Sequence, residues 1–159
     1  MRQLEVDILG MKKMLTVTSI LAVVAGIAMI GGGLGGIVFT YKSVVRENIT
    51  TPADASIPKA LVSGPLTLKA QADIIRAHAL KSSGDLTYAQ MPGQIPKLDA
   101  DGKPVVDADG KPVTVSNPAR TTWITATALT AALNLGILTY AFSALTVFLG
   151  LAFVWGGMV

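Results

Sequence analysis

An eight-residue repeat in the middle of the chain carries the side chains that most suggest chemistry. Leu98–Val105 reads LDADGKPV, and Val106–Val113, which follows at once, reads VDADGKPV. Calcium prefers carboxylate oxygens, and four aspartates are spaced as ligands could be: Asp99, Asp101, Asp107 and Asp109. An EF-hand loop also needs a closing glutamate, which is absent, and Pro104 follows the glycine closely. Asp-Gly between valine-rich flanks instead favours two tight turns joining short strands, with a positive φ at each glycine.

A glycine-rich run, GGGLGG at residues 31–36, matches the dinucleotide-binding pattern G-x-G-x-x-G in form. That motif requires a preceding strand and a following helix start, whereas this run lies inside a long apolar segment. Small residues four apart let another helix approach closely, which predicts a helix-packing face. The paired positions are Gly31 with Gly35 and Gly32 with Gly36. The alternative is that membrane helices simply tolerate glycine here.

The remaining candidates for catalysis are few. His78 is the only histidine, and a mononuclear iron oxygenase typically needs two histidines and a carboxylate. Cysteine is absent, which excludes disulfides, thiolate metal sites and a cysteine nucleophile. Proton and redox pathways in membranes usually carry an ionisable residue inside a span, and neither apolar run has one. We therefore expect no catalytic residue, no cofactor and no bound metal, and a protein that is not an enzyme.

The distribution of charge defines the elements that carry these residues. No Asp, Glu, Lys or Arg lies between Lys13 and Lys42, and none follows Arg120. Residues 14–41 are long enough to cross the hydrocarbon core as a first transmembrane helix. The second uncharged run is too long for one span, so we read it as a helix at residues 118–134, outside the lipid or at its surface, and a second transmembrane helix at 135–157. Asn117-Pro118 is a typical helix start.

Lys12 and Lys13 precede the first span, and basic residues favour the cytoplasmic side. We therefore predict that residues 1–13 and the C-terminus are cytoplasmic, in a bacterial plasma membrane. Ten of the thirteen basic residues lie between Lys42 and Arg120, nine of them in the middle segment, 42–117. This segment exceeds the roughly 60-residue limit within which loop charge counts, so it is predicted to be extracytoplasmic.

Within this segment the stretch LTLKAQADIIRAHALKSSG predicts a short amphipathic helix, with Thr67 as its N-cap and Gly84 as its stop. One face of the helix is apolar: Leu68, Ala72, Ile75 and Ala79. We expect this face to contact a partner protein or to pack on the helix that begins at Pro118. The predicted fold is an all-α membrane protein with two transmembrane helices and an extracytoplasmic segment of short helix and β-turns.

Several segments in combination resemble a known family: LTVTSILAVVAGIAMIGGGLGG, TPADASIP, GPLTLKAQADIIRAH and WITATALTAALNLG before a final span. The chain resembles, over nearly its whole length, the small two-span actinobacterial membrane proteins that include the prokaryotic respiratory supercomplex association factor. The resemblance implies a non-catalytic accessory subunit that stabilises a cytochrome bcc–aa3 oxidase supercomplex, with bcc and aa3 subunits as partners. The basic residues are scattered singly among acidic ones and form no stripe, so we expect no nucleic-acid partner. The alternatives are a stand-alone membrane-anchored extracytoplasmic binding or sensor module, and a membrane enzyme that uses the aspartate-rich turns.

Overall fold

The computed structural model describes the backbone of residues 2–159 and the side chains of residues 8–159. The described chain is mostly helical, and its elements follow in the order α1 (Arg2–Val45), α2 (Pro65–Ser82), β1 (Gln94–Pro96), β2 (Thr114–Ser116) and α3 (Pro118–Met158). The chain divides into two compact units. The first, here called the helical unit, comprises residues 2–49, 61–65 and 135–159. The second, here called the polar unit, comprises residues 50–60 and 66–134.

Helices α1 and α3 are both long and apolar enough to span a membrane, over Ile8–Val45 and Pro118–Met158. The 44 residues of α1 measure about 66 Å at 1.5 Å per residue, so the helix extends beyond the predicted span at both ends. No proline or other strong helix breaker lies at either end of the apolar run, which explains the extension.

The predicted start of α3 is confirmed. The side-chain Oδ1 of Asn117 accepts a hydrogen bond of 3.0 Å from the Ala119 amide, and Pro118 occupies the first helical position. Residues 118–134 and 135–157, predicted as an interfacial helix and a transmembrane helix, belong to one continuous helix, because α3 runs without a break to Met158. The division of this helix between lipid and surface remains a prediction. The boundary between the two compact units nevertheless falls between Asn134 and Leu135, within this helix.

The repeat forms two tight turns, as predicted. Gly102 and Gly110 have φ angles of +79° and +77°, which a residue with a Cβ rarely adopts. Each turn is closed by a single antiparallel bridge, Leu98 to Pro104 in the first and Val106 to Pro112 in the second. The regular strands lie outside the repeat, where β1 and β2 pair antiparallel with Ile95 opposite Val115.

Three residues spaced one repeat apart are joined by a closed ring of backbone hydrogen bonds. The amide of Lys97 donates to the carbonyl of Val113, that of Val113 to Val105, and that of Val105 back to Lys97, each at 2.8 Å. We call this arrangement the hydrogen-bonded ring. It satisfies polar backbone groups of both turns and of the segment before them.

Helix α2 begins at Pro65, two residues before the predicted cap, so Thr67 lies within its first turn. Its predicted end is confirmed, since Gly84 follows Ser82 closely with a φ of +67°. The apolar core that α2 helps to form contains Ala79, Met91 and Trp123, which are 5–8% exposed. Trp123 lies on α3, so this core joins α2 to the N-terminal part of that helix within the polar unit.

Candidate interaction site

The helices of the helical unit approach one another closely at a pair of glycines. A Cβ built on Gly26 would lie 2.6 Å from the carbonyl oxygen of Gly150, and a Cβ built on Gly150 would lie 2.7 Å from the carbonyl oxygen of Gly26. Both distances are shorter than real Cβ contacts, so the absence of side chains here is what permits the approach.

The same relationship recurs at seven-residue intervals. A Cβ on Gly33 would lie 2.7 Å from the carbonyl oxygen of Ser143, and one on Gly157 would lie 2.7 Å from that of Ser19. The small residues that share this spacing are Ser19, Gly26, Gly33 and Thr40 on α1, and Gly136, Ser143, Gly150 and Gly157 on α3. A seven-residue repeat keeps one seam of a helix facing its partner. We call the six of these residues that contact the other helix, Ser19, Gly26, Gly33, Ser143, Gly150 and Gly157, the packing seam of the helical unit.

The predicted packing glycines divide into two groups. Gly36 faces α3, because a Cβ there would lie 2.5 Å from the hydroxyl oxygen of Ser143. A Cβ added at Gly31, Gly32 or Gly35 would meet no atom within 4 Å, so the chain leaves open space beside these three residues. We call them the open glycine face. A contact between this face and the helix of another protein remains a prediction.

The predicted partner-contact face of α2 is largely occupied within the chain itself. Leu68, Ala72 and Ala79 are buried, with exposures of 1%, 1% and 6%, and Ile75 is half-buried. A partner cannot reach the three buried side chains, so their assignment to a partner contact is corrected. The alternative, that this face packs on the helix beginning at Pro118, applies to Ala79, which joins Trp123 in the core of the polar unit.

Two arginines lie over aromatic rings in the polar unit. The guanidinium of Arg76 lies 5.7 Å from the centroid of the Trp123 ring, and that of Arg120 lies 4.0 Å from the centroid of the Tyr88 ring. Cation–π contacts of this kind stabilise a fold by about 0.5–1 kcal/mol at exposed positions. The arginines therefore support the fold of this unit.

His78 has a partner that the sequence did not indicate. Its Nε2 lies 2.7 Å from Oδ2 of Asp54, with side chains 53% and 61% exposed. The hydrogen bond from His78 lowers the pKa of the Asp54 carboxyl, and the positive charge of Lys81 contributes less. Asp54 belongs to a loop that Thr51 holds closed, since its buried hydroxyl donates to the carbonyl of Ile57 and accepts from the amide of Ala60. The pair thus ties this loop to α2.

The aspartates of the repeat are used as turn acceptors. One carboxylate oxygen of Asp99 accepts from the amides of Asp101 and Lys103, and Asp107 makes the equivalent pair of bonds in the second turn. Among residues 8–159, no group of three or more His, Cys, Asp or Glu side chains is placed to hold a metal ion. The geometry of these residues fits turn formation.

The chain was compared with protein families, curated sequences and solved structures. No protein-family model, no curated protein sequence and no solved structure matches it. The candidate site is therefore defined by the contacts of the chain's own residues.

Proposed function

We propose that this protein is a non-catalytic accessory subunit of a membrane protein complex, and that the complex is the cytochrome bcc–aa3 oxidase supercomplex implied by the family resemblance. The proposal has α1 and α3 crossing the bacterial plasma membrane, with both termini cytoplasmic and the polar unit extracytoplasmic. The observation that supports the proposal is the open glycine face. Its three glycines contact no other part of the chain, whereas neighbouring glycines of α1 pack against α3.

The geometry of α1 supports an attachment through that face. Gly26 and Gly33 are buried, whereas Gly31, Gly32 and Gly35 are exposed on the opposite side of the helix. A second helix could approach this side closely and gain dispersion contacts with the α1 backbone. In this proposal the packing seam of α1 contacts α3, and the open glycine face of α1 contacts a helix of the partner complex.

The experiment enlarges the open face without touching the internal seam. Gly31→Leu with Gly35→Leu should leave membrane insertion intact, because leucine is favourable in a membrane helix. It should reduce the ratio of this subunit to the core oxidase subunits after mild detergent extraction, at matched membrane abundance. The matched control is Ala141→Leu with Ala144→Leu, which enlarges two small exposed residues on α3, away from the open glycine face. Equal ratios for the two double variants would show that the open glycine face is not the attachment site.

A stand-alone extracytoplasmic binding or sensor module is the second candidate. It is favoured by the core of Ala79, Met91 and Trp123, which the polar unit builds from its own residues. Native electrophoresis of gently solubilised membranes separates the two functions. An accessory subunit migrates with the oxidase, whereas a stand-alone module migrates at the size of this chain in its detergent micelle.

A further inference from the structure

The helical unit has an open groove beside the N-terminal part of α1 and the C-terminal end of α3. The groove has a volume of about 410 Å³ and is lined mainly by apolar side chains, including Ile20 and Val23, with Thr16 and Ser19 among them. Gly157 lines it from α3, and the lack of a side chain there helps to keep the groove open.

Two exposed lysines stand at one end of this groove. Lys12 and Lys13 precede Thr16 by four and three residues, a spacing that places them on the same side of the helix as the groove lining. Among the described side chains of the helical unit, the other charged residues lie near the opposite end of α1: Lys42, Arg46 and Glu47.

We propose that this groove binds one anionic phospholipid, whose acyl chain lies along the apolar lining and whose phosphate is bound by Lys12 and Lys13. The inference rests on the membrane location in the proposed function and does not depend on the respiratory partner. An apolar groove with two lysines at one end complements a molecule that has an apolar tail and an anionic head. A partner helix would fill the groove but would not require the lysines.

Basic residues close to a membrane surface attract anionic lipid by an amount that adds for each charge. For two lysines we expect a preference for anionic over zwitterionic lipid on the order of thirtyfold. The apolar groove should add selectivity for a molecule that carries acyl chains, because a free phosphate leaves the groove empty.

The test is native mass spectrometry of the full chain in detergent, titrated with palmitoyl-oleoyl-phosphatidylglycerol or with phosphatidylcholine of the same acyl chains. Phosphatidylglycerol adducts should exceed phosphatidylcholine adducts about thirtyfold. Lys12→Gln with Lys13→Gln should abolish this preference. The matched control, Lys42→Gln with Arg46→Gln, removes the same charge from the other end of α1 and should keep it.

A second pair of variants tests the groove itself. Thr16 and Thr18 are both exposed, and each hydroxyl donates to the carbonyl four residues earlier, but only Thr16 lines the groove. Thr16→Phe should therefore block lipid binding, whereas Thr18→Phe should leave it unchanged. Circular dichroism at matched concentration verifies that each variant keeps its helix content.

Equal binding of the two lipids would overturn the proposal, as would equal losses in the two charge variants or in the two phenylalanine variants. Competition by glycerol 3-phosphate as strong as that by the lipid would show a site for a phosphate head alone. Alkaline extraction of membranes separates this result from a failure of the proposed function. A chain that alkali releases is not an integral membrane protein, whereas a retained chain without lipid preference contradicts only the lipid site.

Discussion

Gly26 on α1 and Gly150 on α3 lie opposite each other, and the backbone carbonyl of each glycine leaves no room for a side chain on the other. The limiting distances, 2.6 and 2.7 Å from an added Cβ to the opposite oxygen, are nearly the same in both directions. The two backbones themselves are therefore the contact surface at this point. Any side chain at either position must push the helices apart.

Gly26→Ala should destabilise the helical unit by about 1–3 kcal/mol, the usual cost of inserting a group into a well-packed interface. Gly35→Ala makes the same chemical change on the same helix, but it meets no atom within 4 Å. It should be neutral or slightly stabilising, because alanine is the better helix former. Thermal melts in detergent, followed by circular dichroism at 222 nm, compare the two variants. Equal melting temperatures would contradict the assignment of the packing seam.

The turn aspartates should act through hydrogen bonding and not through charge. Asp99→Ala removes the acceptor of two backbone amides and should destabilise the first turn by about 1–3 kcal/mol. Asp99→Asn keeps an acceptor oxygen and should cost much less, because asparagine forms the same kind of turn. Amide hydrogen exchange at Asp101 and Lys103 measures the loss directly. Equal exchange in both variants would indicate that charge is what matters.

The contact between His78 and Asp54 predicts a pH effect in the acid range. Because the pKa of Asp54 is lowered in the folded state, ionised Asp54 contributes stability above the pKa of the unfolded carboxyl. This contribution is lost as the pH falls through the lowered folded value. In His78→Ala the pKa of Asp54 should rise toward its ordinary value, and Lys81→Ala should have a smaller effect of the same sign. Titration of the Asp54 carboxyl carbon by NMR measures each change, and an unchanged titration in His78→Ala would contradict the contact.

The proposed orientation is tested with reporter fusions. A phosphatase that is active only outside the cytoplasm should be active when fused after Gly84. A fluorescent reporter that matures only inside should be active when fused after Val159. Lys12 and Lys13 are the physical reason, since basic residues that flank a span are retained on the cytoplasmic side. Phosphatase that is inactive at Gly84, at normal abundance of the fusion, would reverse the orientation.

The glycines show how far a sequence pattern can predict this packing. The four-residue spacing of Gly31 and Gly35 marks a region where the chain makes no contact of its own. The contact actually made within the chain follows a seven-residue spacing through Gly26 and Gly33. That signal is present in the sequence, but it becomes specific only when the matching spacing on α3, through Gly150, is considered with it.

The ends of the helices are easier to predict from the sequence than the contacts between helices. Asn117 and Gly84 have strong backbone preferences, and both lie where the sequence predicts a helix start and a helix stop. The contact of Asp54 with His78 joins residues 24 positions apart, so no local preference could indicate it. The burial of Leu68 likewise depends on tertiary packing, which a helical pattern predicts only as an apolar face.

The hydrogen-bonded ring limits how the repeat could have changed during evolution. Tandem duplications usually gain or lose units easily, because each copy adds to an open-ended stack. Here Lys97, Val105 and Val113 form a cycle with no free end. A third eight-residue copy would require a ring of four, with different angles at every bond, and a single copy would leave two members, which could close only as the reciprocal pair of an antiparallel ladder. A change in the number of copies would therefore have to rebuild this cycle, because no unit can be added to an open end.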